Sequence, residues 1–462
     1  MELTLDEVAE AVGGKLSGGP TLTSRPTGVS IDSRTVRKGD LFFAIRGPRF
    51  DGHDFAGAAF DAGACCAVLG ADRAGEFGAA PVVAVKDTIE ALGKLGSYYR
   101  DKFSLTLVGV TGSNGKTSTK DLLAHVLAGS RPVGGTQGNL NNYLGVPLTL
   151  LSLRSWHEVA VVEMGASRRG EIEALARLAK PQIGVITNVG PTHLEEMGSI
   201  EAVAATKAEM AAELPPAGTL VVNGDDPLLL EAVAAVSRED LNVIKCGFGP
   251  GCDVRATSHE ALGEEGTGFE TEEMGAAKIP ALGKHNVYNA LMAFAVGREM
   301  GMEAGTIRGR LAGFEPPSMR LRPVDLGKIV VLNDCYNSNP ASAKAALKAL
   351  GEYPSAGRRV AALGDMLELG EDAPRLHREL GANASAVDWL VTTGDWAGEV
   401  VDGAVSAGLD PARAKALPDL DSLTSVLLDG LRPGDIVLLK ASRAVGMEQV
   451  AQALEGRFPK GS

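Results

Sequence analysis

The chain has 462 residues, a formal charge of −13 and 45% hydrophobic residues, which is too long for one core and enough apolar material for about three. The acidic balance argues against a nucleic-acid or anionic-membrane partner, while a local basic pocket for phosphates stays compatible with it. Five cysteines without metal-ligand spacing read as reduced thiols of a cytoplasmic protein, no apolar run reaches the ~18 residues needed to span a bilayer, and the acidic start MELTLDEVAEAVGG reads as a helix and not as a signal peptide.

Residues 1–102 form a first, small α/β unit. Its pattern predicts a helix over Leu5–Val12, strands over Gly28–Arg34 and Gly39–Arg46, a helix over Phe55–Ala62, and short strands near Cys66–Leu69 and Val82–Val85. Asp32, Ser33, Arg34, Arg46, Asp51, Gly52 and His53 fall at strand ends and turns, where a binding role and a solvated loop are both open.

Residues 103–314 alternate strand and helix, with strands expected at 105–110, 158–162, 183–187, 219–222 and 242–246. That rhythm implies a mostly parallel sheet covered by helices on both faces, with ligands at the carboxyl ends of its strands. The first strand runs into Thr111-Gly112-Ser113-Asn114-Gly115-Lys116-Thr117 and then an amphipathic stretch over Lys120–Ala128. This is a P-loop shortened by one glycine, since Val110 stands where a third would be expected. Gly112 and Gly115 let backbone amides turn toward an anion, Lys116 can reach the outer phosphates, and the Thr117 hydroxyl is placed to hold Mg²⁺. A Gly-rich turn before a helix is the plainer alternative.

Two more strand tips carry Glu163 and the segment Asn188–His193, bringing a carboxylate and an imidazole to the same rim. Alone, Glu163 could cap a helix and His193 could be a loop residue; together at that edge they suit metal or phosphate chemistry. In the next helix Ile200, Val203, Lys207, Met210 and Leu214 follow helical spacing, so Lys207 lies on the inward stripe. Its stem could snorkel to water. Alternatively, desolvation could depress its pKa and free an amine that reacts with CO₂, giving a carbamate able to join Glu163 and His193 around a second Mg²⁺. Periodicity is lost between Asp253 and Pro280, which suggests a hairpin or surface excursion. A long helix then starts near Gly283, with Asn289 one turn in, its amide free to read a base edge or to face water.

Pro316-Pro317 marks a hinge or linker, and residues 315–462 repeat the α/β rhythm as a Rossmann-like unit with strands at 329–333, 359–363, 388–392 and 435–439. No G-x-G-x-x-G fingerprint occurs, so no dinucleotide is inferred.

Taken together, TGSNGKTS, TQGNLNNYLGVP, VVEMGA, KHNVYNAL, NDCYNSNP, GDMLELG and LLKASR, with DSRTVRKGDLFFAIRG and DGHDF near the start, resemble the Mur ligases along essentially the whole chain. QGNLNN, CYNSNP and GDMLELG point to the branch that joins D-alanyl-D-alanine to UDP-N-acetylmuramoyl-tripeptide in peptidoglycan synthesis. The resemblance implies a three-domain α/β enzyme using ATP, two Mg²⁺ ions and a carbamylated Lys207, acting in the cytoplasm as a monomer. It implies catalytic roles for Lys116, Glu163, His193 and Lys207, with metal ions held by Thr117 and by Glu163, His193 and Lys207. The nucleotide would meet Thr111 to Thr117, Asn289, Arg320 and Asp334. Asp32, Ser33, Arg34 and Arg46 would hold the uridine end, Asn141 and Asn142 would lie near the reacting substrate, and Asn337, Asn339 and Ser442 would face the dipeptide. Cys335 and Met319 depart from the family's usual residues without removing a needed charge. The diamino-acid-adding Mur ligases carry a D-N-P-R motif that is missing here, and folylpolyglutamate synthases lack a first domain like residues 1–102.

Overall fold

The computed structural model describes residues 1–18 and 25–459, and three sheets organise them. The first has five strands in the order Lys15–Ser17, Val82–Val85, Cys66–Gly70, Leu41–Phe43, Val29–Ser30. The two strands expected over 28–34 and 39–46 shrink to Val29–Ser30 and Leu41–Phe43, because Asp32 folds its segment into a turn: its Oδ1 accepts the Arg34 N–H at 3.0 Å and its carbonyl accepts Thr35. Helix Leu5–Val12 forms as expected, closed at its start by a capping box between Thr4 and Glu7.

The central sheet has nine strands, in the order Gly275–Ile279, Thr267–Thr271, Val254–Ala261, Asn242–Gly247, Thr219–Asn223, Ile183–Ile186, Thr106–Thr111, Val159–Glu163, Val133–Gly135. From Asn242–Gly247 to Val133–Gly135 all neighbours are parallel. Strand Thr106–Thr111 lies between Val159–Glu163 and Ile183–Ile186. The chain therefore leaves it toward one side and later returns on the other, opening a crevice at its carboxyl end. The hairpin expected in the stretch 253–280 is present: Val254–Ala261 continues the parallel part beside Asn242–Gly247, and Thr267–Thr271 and Gly275–Ile279 add two antiparallel pairings at the edge.

One hydrophobic cluster runs unbroken from Leu41, Phe43 and Val68 of the first sheet, through Leu92, Leu95 and Tyr99, to Leu107, Val162, Ile186 and Leu220 of the central sheet. Helix Thr88–Arg100 is the connecting piece. Arg100, buried on it, donates to the carbonyls of Ala179, Phe103 and Leu105 at 3.2, 2.9 and 3.2 Å, so its charge is dispersed over carbonyls that would otherwise lack partners. The opposite face of the central sheet is covered by Lys116–Leu127, Lys284–Glu299 and Ala304–Ala312. The third sheet runs Arg322–Asp325, Val330–Asp334, Ile436–Lys440, Arg359–Leu363, Trp389–Thr393, Ala414–Leu417, parallel except for its first pair. Its two faces have separate cores.

Candidate active site

Helix Lys116–Leu127 starts at Gly115, held at φ 78, with no side-chain cap, which leaves its first amides available to an anion. Gly112 has φ 143, and a Cβ there would sit 2.0 Å from Thr187 Oγ1, so no other residue fits. The loop is stapled to the segment after strand Ile183–Ile186. Ser113 N–H donates to the Asn188 carbonyl at 2.9 Å, Asn114 N–H to Asn188 Oδ1 at 3.0 Å, and the Thr187 hydroxyl to the Asn114 carbonyl at 2.5 Å. Lys116 Nζ donates to the carbonyls of Gly112 and Ser113 at 2.8 and 3.2 Å. Burial pushes its pKa down, opposed by Glu163, with Arg320 adding to the fall.

Glu163 is 1% exposed at the end of its strand. Its backbone N–H is held by Thr136 Oγ1 at 3.0 Å, and its Oε1 accepts from Asn141 Nδ2 at 2.8 Å. Its Oε2 is buried with no hydrogen-bond partner. An unpaired carboxylate oxygen facing a cleft is a position that a cation would satisfy. The hydroxyl of Thr111, next to Gly112, is also buried and unpartnered.

Lys207 is 1% exposed, on helix Ile200–Ala212, so it does not snorkel. The amine lies under the loop that follows Glu163, with the Ala166 carbonyl at 3.4 Å. Burial, then repulsion from Lys116, lowers its pKa from 10.5 to about 7, leaving a large neutral fraction near neutral pH. His193, at φ 53, is pushed down by burial, with Glu368 opposing and Lys116 and Lys207 adding to the fall. Lys116 thus acts on Lys207 and His193 and is itself acted on by Glu163, which puts the four groups in one electrostatic neighbourhood. They open differently: Glu163 lines the cleft beside the P-loop, His193 lines an adjoining groove, and Lys207 stays sealed below. Among the described residues no three His, Cys, Asp or Glu side chains cluster as a metal site. A cation here would need Glu163 and His193 to be completed by other oxygens, such as those of a modified lysine or a triphosphate.

The P-loop cleft, about 600 Å³, lies between the central and third sheets. Besides the loop it is lined by Asn289, Arg320 and Asp334. Asn289 does not face water: it is buried, its Nδ2 donates to Asn286 Oδ1 at 3.0 Å, and its Oδ1 lies against Gly115. Arg320 reaches across to donate to Thr117 Oγ1 at 3.1 Å, and Asn339 Nδ2 donates to Asn114 Oδ1 at 2.7 Å. The third sheet therefore touches the phosphate loop directly.

The adjoining groove, about 590 Å³, shares Asn139, Tyr336, Asn337 and Asn339 with the cleft, and adds His193, Glu368 and Ser442. Ser442 is tied to its surroundings, accepting Leu367 N–H at 2.9 Å and donating to the Ser338 carbonyl at 3.3 Å. Asn142 points elsewhere: its Oδ1 accepts the N–H groups of Leu144 and Gly145, so it organises the start of helix Gly145–Leu151 while Asn141 faces Glu163. Asp32, Ser33, Arg34 and Arg46 line neither cavity. Arg34 is paired with Asp32 at 2.6 Å, and Arg46 with Asp51 and Asp72 at 3.0 and 2.6 Å.

Several lining residues escaped the sequence reading. Asn223, Asp225 and Asp226 follow strand Thr219–Asn223 and border the cleft, where Tyr288 donates to Asp225 Oδ2 at 2.7 Å. Their position after a parallel strand was a usable signal. Glu368 and Lys440 lie in the motifs GDMLELG and LLKASR at or after strand ends, which marked their loops but not these two side chains.

Family models match along the chain: "Mur ligase family, catalytic domain" over residues 25–100, "Mur ligase middle domain" over 110–297 and "Mur ligase, glutamate ligase domain" over 319–443. The UDP-N-acetylmuramoyl-tripeptide–D-alanyl-D-alanine ligase of Bacillus subtilis is 35% identical over 456 residues, covering 98% of both chains. The crystal structure of MurF from Acinetobacter baumannii superposes with a TM-score of 0.88 at 30% identity over 98% of each chain. MurF from Thermotoga maritima in complex with ADP gives 0.81 at 30% identity, covering 95% of this chain and 99% of that one. With full-length relatives, matching models in all three units and a shared three-sheet architecture, the chain belongs to the Mur ligase family.

Proposed function

We propose that this protein is an ATP-dependent ligase that joins D-alanyl-D-alanine to UDP-N-acetylmuramoyl-tripeptide, releasing ADP and phosphate. The observation that carries the reading is the junction of the two cavities: a phosphate loop and Glu163, with its unpartnered Oε2, on one side, and a groove large enough for a dipeptide on the other. Full-length likeness to ligases of that name supports it.

The γ-phosphoryl group would pass from ATP to the tripeptide carboxylate, giving an acyl phosphate, and the dipeptide amine would then displace phosphate through a tetrahedral intermediate. Both partners of the first step are anions, so the site must neutralise charge and align the reacting atoms. The loop amides and Lys116 hold the β- and γ-phosphates. Arg320 approaches from the third sheet beside Thr117. Asn289, and Asp334 near Arg320, bound the nucleotide's side of the cleft. Asn141 orients Glu163, and Asn337, Asn339 and Ser442 border the path of the amine. The Asp32–Arg34 turn and Arg46 take the uridine end.

One Mg²⁺ would be held at Thr117 and a second by Glu163, whose Oε2 lacks a partner, with His193; when bound they would neutralise phosphate charge in transfer. A carbamate on Lys207 would supply the missing oxygen ligand, and the depressed pKa of a sealed amine supports its formation. Residues 1–102, 103–314 and 315–462 would act as uridine-binding, ATP-binding and dipeptide-binding domains that move about Pro316-Pro317. A monomer in the cytoplasm, where ATP is supplied and free thiols persist, goes with this reading; all five cysteines are unpaired.

Phosphate release tests the proposal. ATP should be hydrolysed appreciably only when UDP-MurNAc-tripeptide and D-Ala-D-Ala are both present, and turnover indifferent to either would refute it.

A further inference from the structure

Arg320 stands between two non-glycine residues in the left-handed region, Met319 at φ 59 and Leu321 at φ 52. Side-chain-bearing residues seldom adopt this conformation, and it persists only where neighbours over-determine it. Here the neighbours are identifiable. Leu321 N–H donates to Asp334 Oδ1 at 3.1 Å, and Tyr336 N–H donates to the Met319 carbonyl at 3.2 Å. The Arg320 guanidinium lies 3.9 Å over the Tyr336 ring, and from there it reaches Thr117 Oγ1. The backbone of the Arg320 turn is therefore held by Asp334 and the segment that follows it, with Arg443 adding a contact to Met319 Sδ at 3.2 Å.

That segment is anchored by a residue on the adjacent strand. Lys440 ends Ile436–Lys440, is paired in register with Asp334, and is 2% exposed. Its Nζ donates to Asp334 Oδ2 at 2.6 Å and to the Asn337 carbonyl at 2.9 Å. A buried ammonium satisfied by two acceptors of one loop cannot shift without losing both, and Asp334 without it would be a shielded carboxylate lacking its counter-charge.

We propose that Lys440 is a positioning residue for the nucleotide site, setting Arg320 against the phosphate loop through Asp334 and the Tyr336 stack. The proposal rests on the reading of the cleft as the ATP site. It assigns Lys440 a role in ATP use that is exerted through Arg320.

A double-mutant cycle on the full-length enzyme tests it, with the KM for ATP and the KM for UDP-MurNAc-tripeptide as readouts. Arg320→Ala should raise the KM for ATP roughly tenfold, the scale of one lost hydrogen bond to a charged group. Lys440→Met should raise it by a similar factor, and the double variant should be no worse than Arg320→Ala, with the KM for the UDP substrate unmoved throughout. Should Lys440→Met not fold, Lys440→Gln, which removes the charge opposite Asp334 and shortens the reach to the Asn337 carbonyl, carries the same cycle. Multiplying effects, with the double variant's KM for ATP raised about a hundredfold, would overturn the proposal alone. If Arg320→Ala leaves the KM for ATP unchanged, the nucleotide reading falls and the proposal with it.

Discussion

Replacing Lys207 by methionine should make the protein more stable while abolishing its activity. The lysine is sealed in helix Ile200–Ala212, with one hydrogen bond at 3.4 Å. Moving its pKa from 10.5 to about 7 corresponds to about 5 kcal/mol of free energy opposing the charged form in the folded state. The sign follows from proton uptake. Below pH 7 the folded and unfolded chains both carry the proton, and the full cost is present. Between about 7 and 10.5 the unfolded chain binds more protons than the folded one, so stability rises with pH; above 10.5 the cost is gone. Methionine fills similar space without a charge to desolvate, and after relaxation a gain of roughly 2–4 kcal/mol is expected near pH 7, shrinking toward pH 10. Denaturant unfolding followed by circular dichroism, in CO₂-free buffer without Mg²⁺ at pH 6.5, 8 and 9.5, measures the difference. Phosphate release with both substrates measures the loss of turnover, and short carboxylic acids should partly restore it in Lys207→Ala. A Lys207→Met protein less stable than its parent at pH 6.5, a gain that does not vary with pH, or full activity would refute the reasoning.

Other perturbations separate the parts of the site. Gly112→Ala places a methyl group 2.0 Å from Thr187 Oγ1; displacing that loop should weaken ATP binding by at least about a hundredfold, as read by calorimetry, and near-normal affinity would remove the loop from the site. Glu163→Gln keeps a side chain of the same shape beside Asn141 but removes the charge, so kcat should fall about 10²–10³-fold while the KM for UDP-MurNAc-tripeptide holds. A loss under threefold would show that the carboxylate is dispensable. Arg358→Ala, far from the chemistry, removes the counter-charge of Asp435, 2% exposed and paired with Arg358 at 2.6 Å, and leaves it only the backbone N–H groups of residues 358 and 432. Its cost should be about 1–3 kcal/mol in unfolding with substrate KM values unchanged. Small-angle scattering should show compaction with an ATP analogue and substrates if the Pro316-Pro317 linker is a hinge, and an unchanged radius of gyration would exclude that motion.

Much of this molecule could be read along the chain because its signals are local. Strand Thr106–Thr111 runs straight into glycines whose backbone angles are unusual for any other residue, and that sequence of events is visible in one dimension. Lys207 was found by spacing alone, since a helix repeats every 3.6 residues whatever surrounds it. Between Asp253 and Pro280 the hairpin expected from the lost periodicity is present, but its attachment to the central sheet came from contacts across strands. The stretch 253–280 forms strands because Val254 and Ala256 can cover the edge of an existing sheet, not because its own pattern demands them. Helix Thr88–Arg100 joins the first sheet and the central sheet in one core, which a boundary drawn after residue 102 does not convey.

The sequence by itself determined which side chains end the parallel strands and which lysine had to be buried, since both follow from local geometry and residue spacing. Only the tertiary structure decided that Arg320 would meet Thr117, that Asn141 would face Glu163 while Asn142 turned away to accept the N–H groups of Leu144 and Gly145, and that Lys440 would sit beneath Asp334. Those outcomes depend on how strands far apart in the chain are ordered and how two sheets approach. Such an order is set by the summed burial of many apolar faces, and no single stretch of residues contains it.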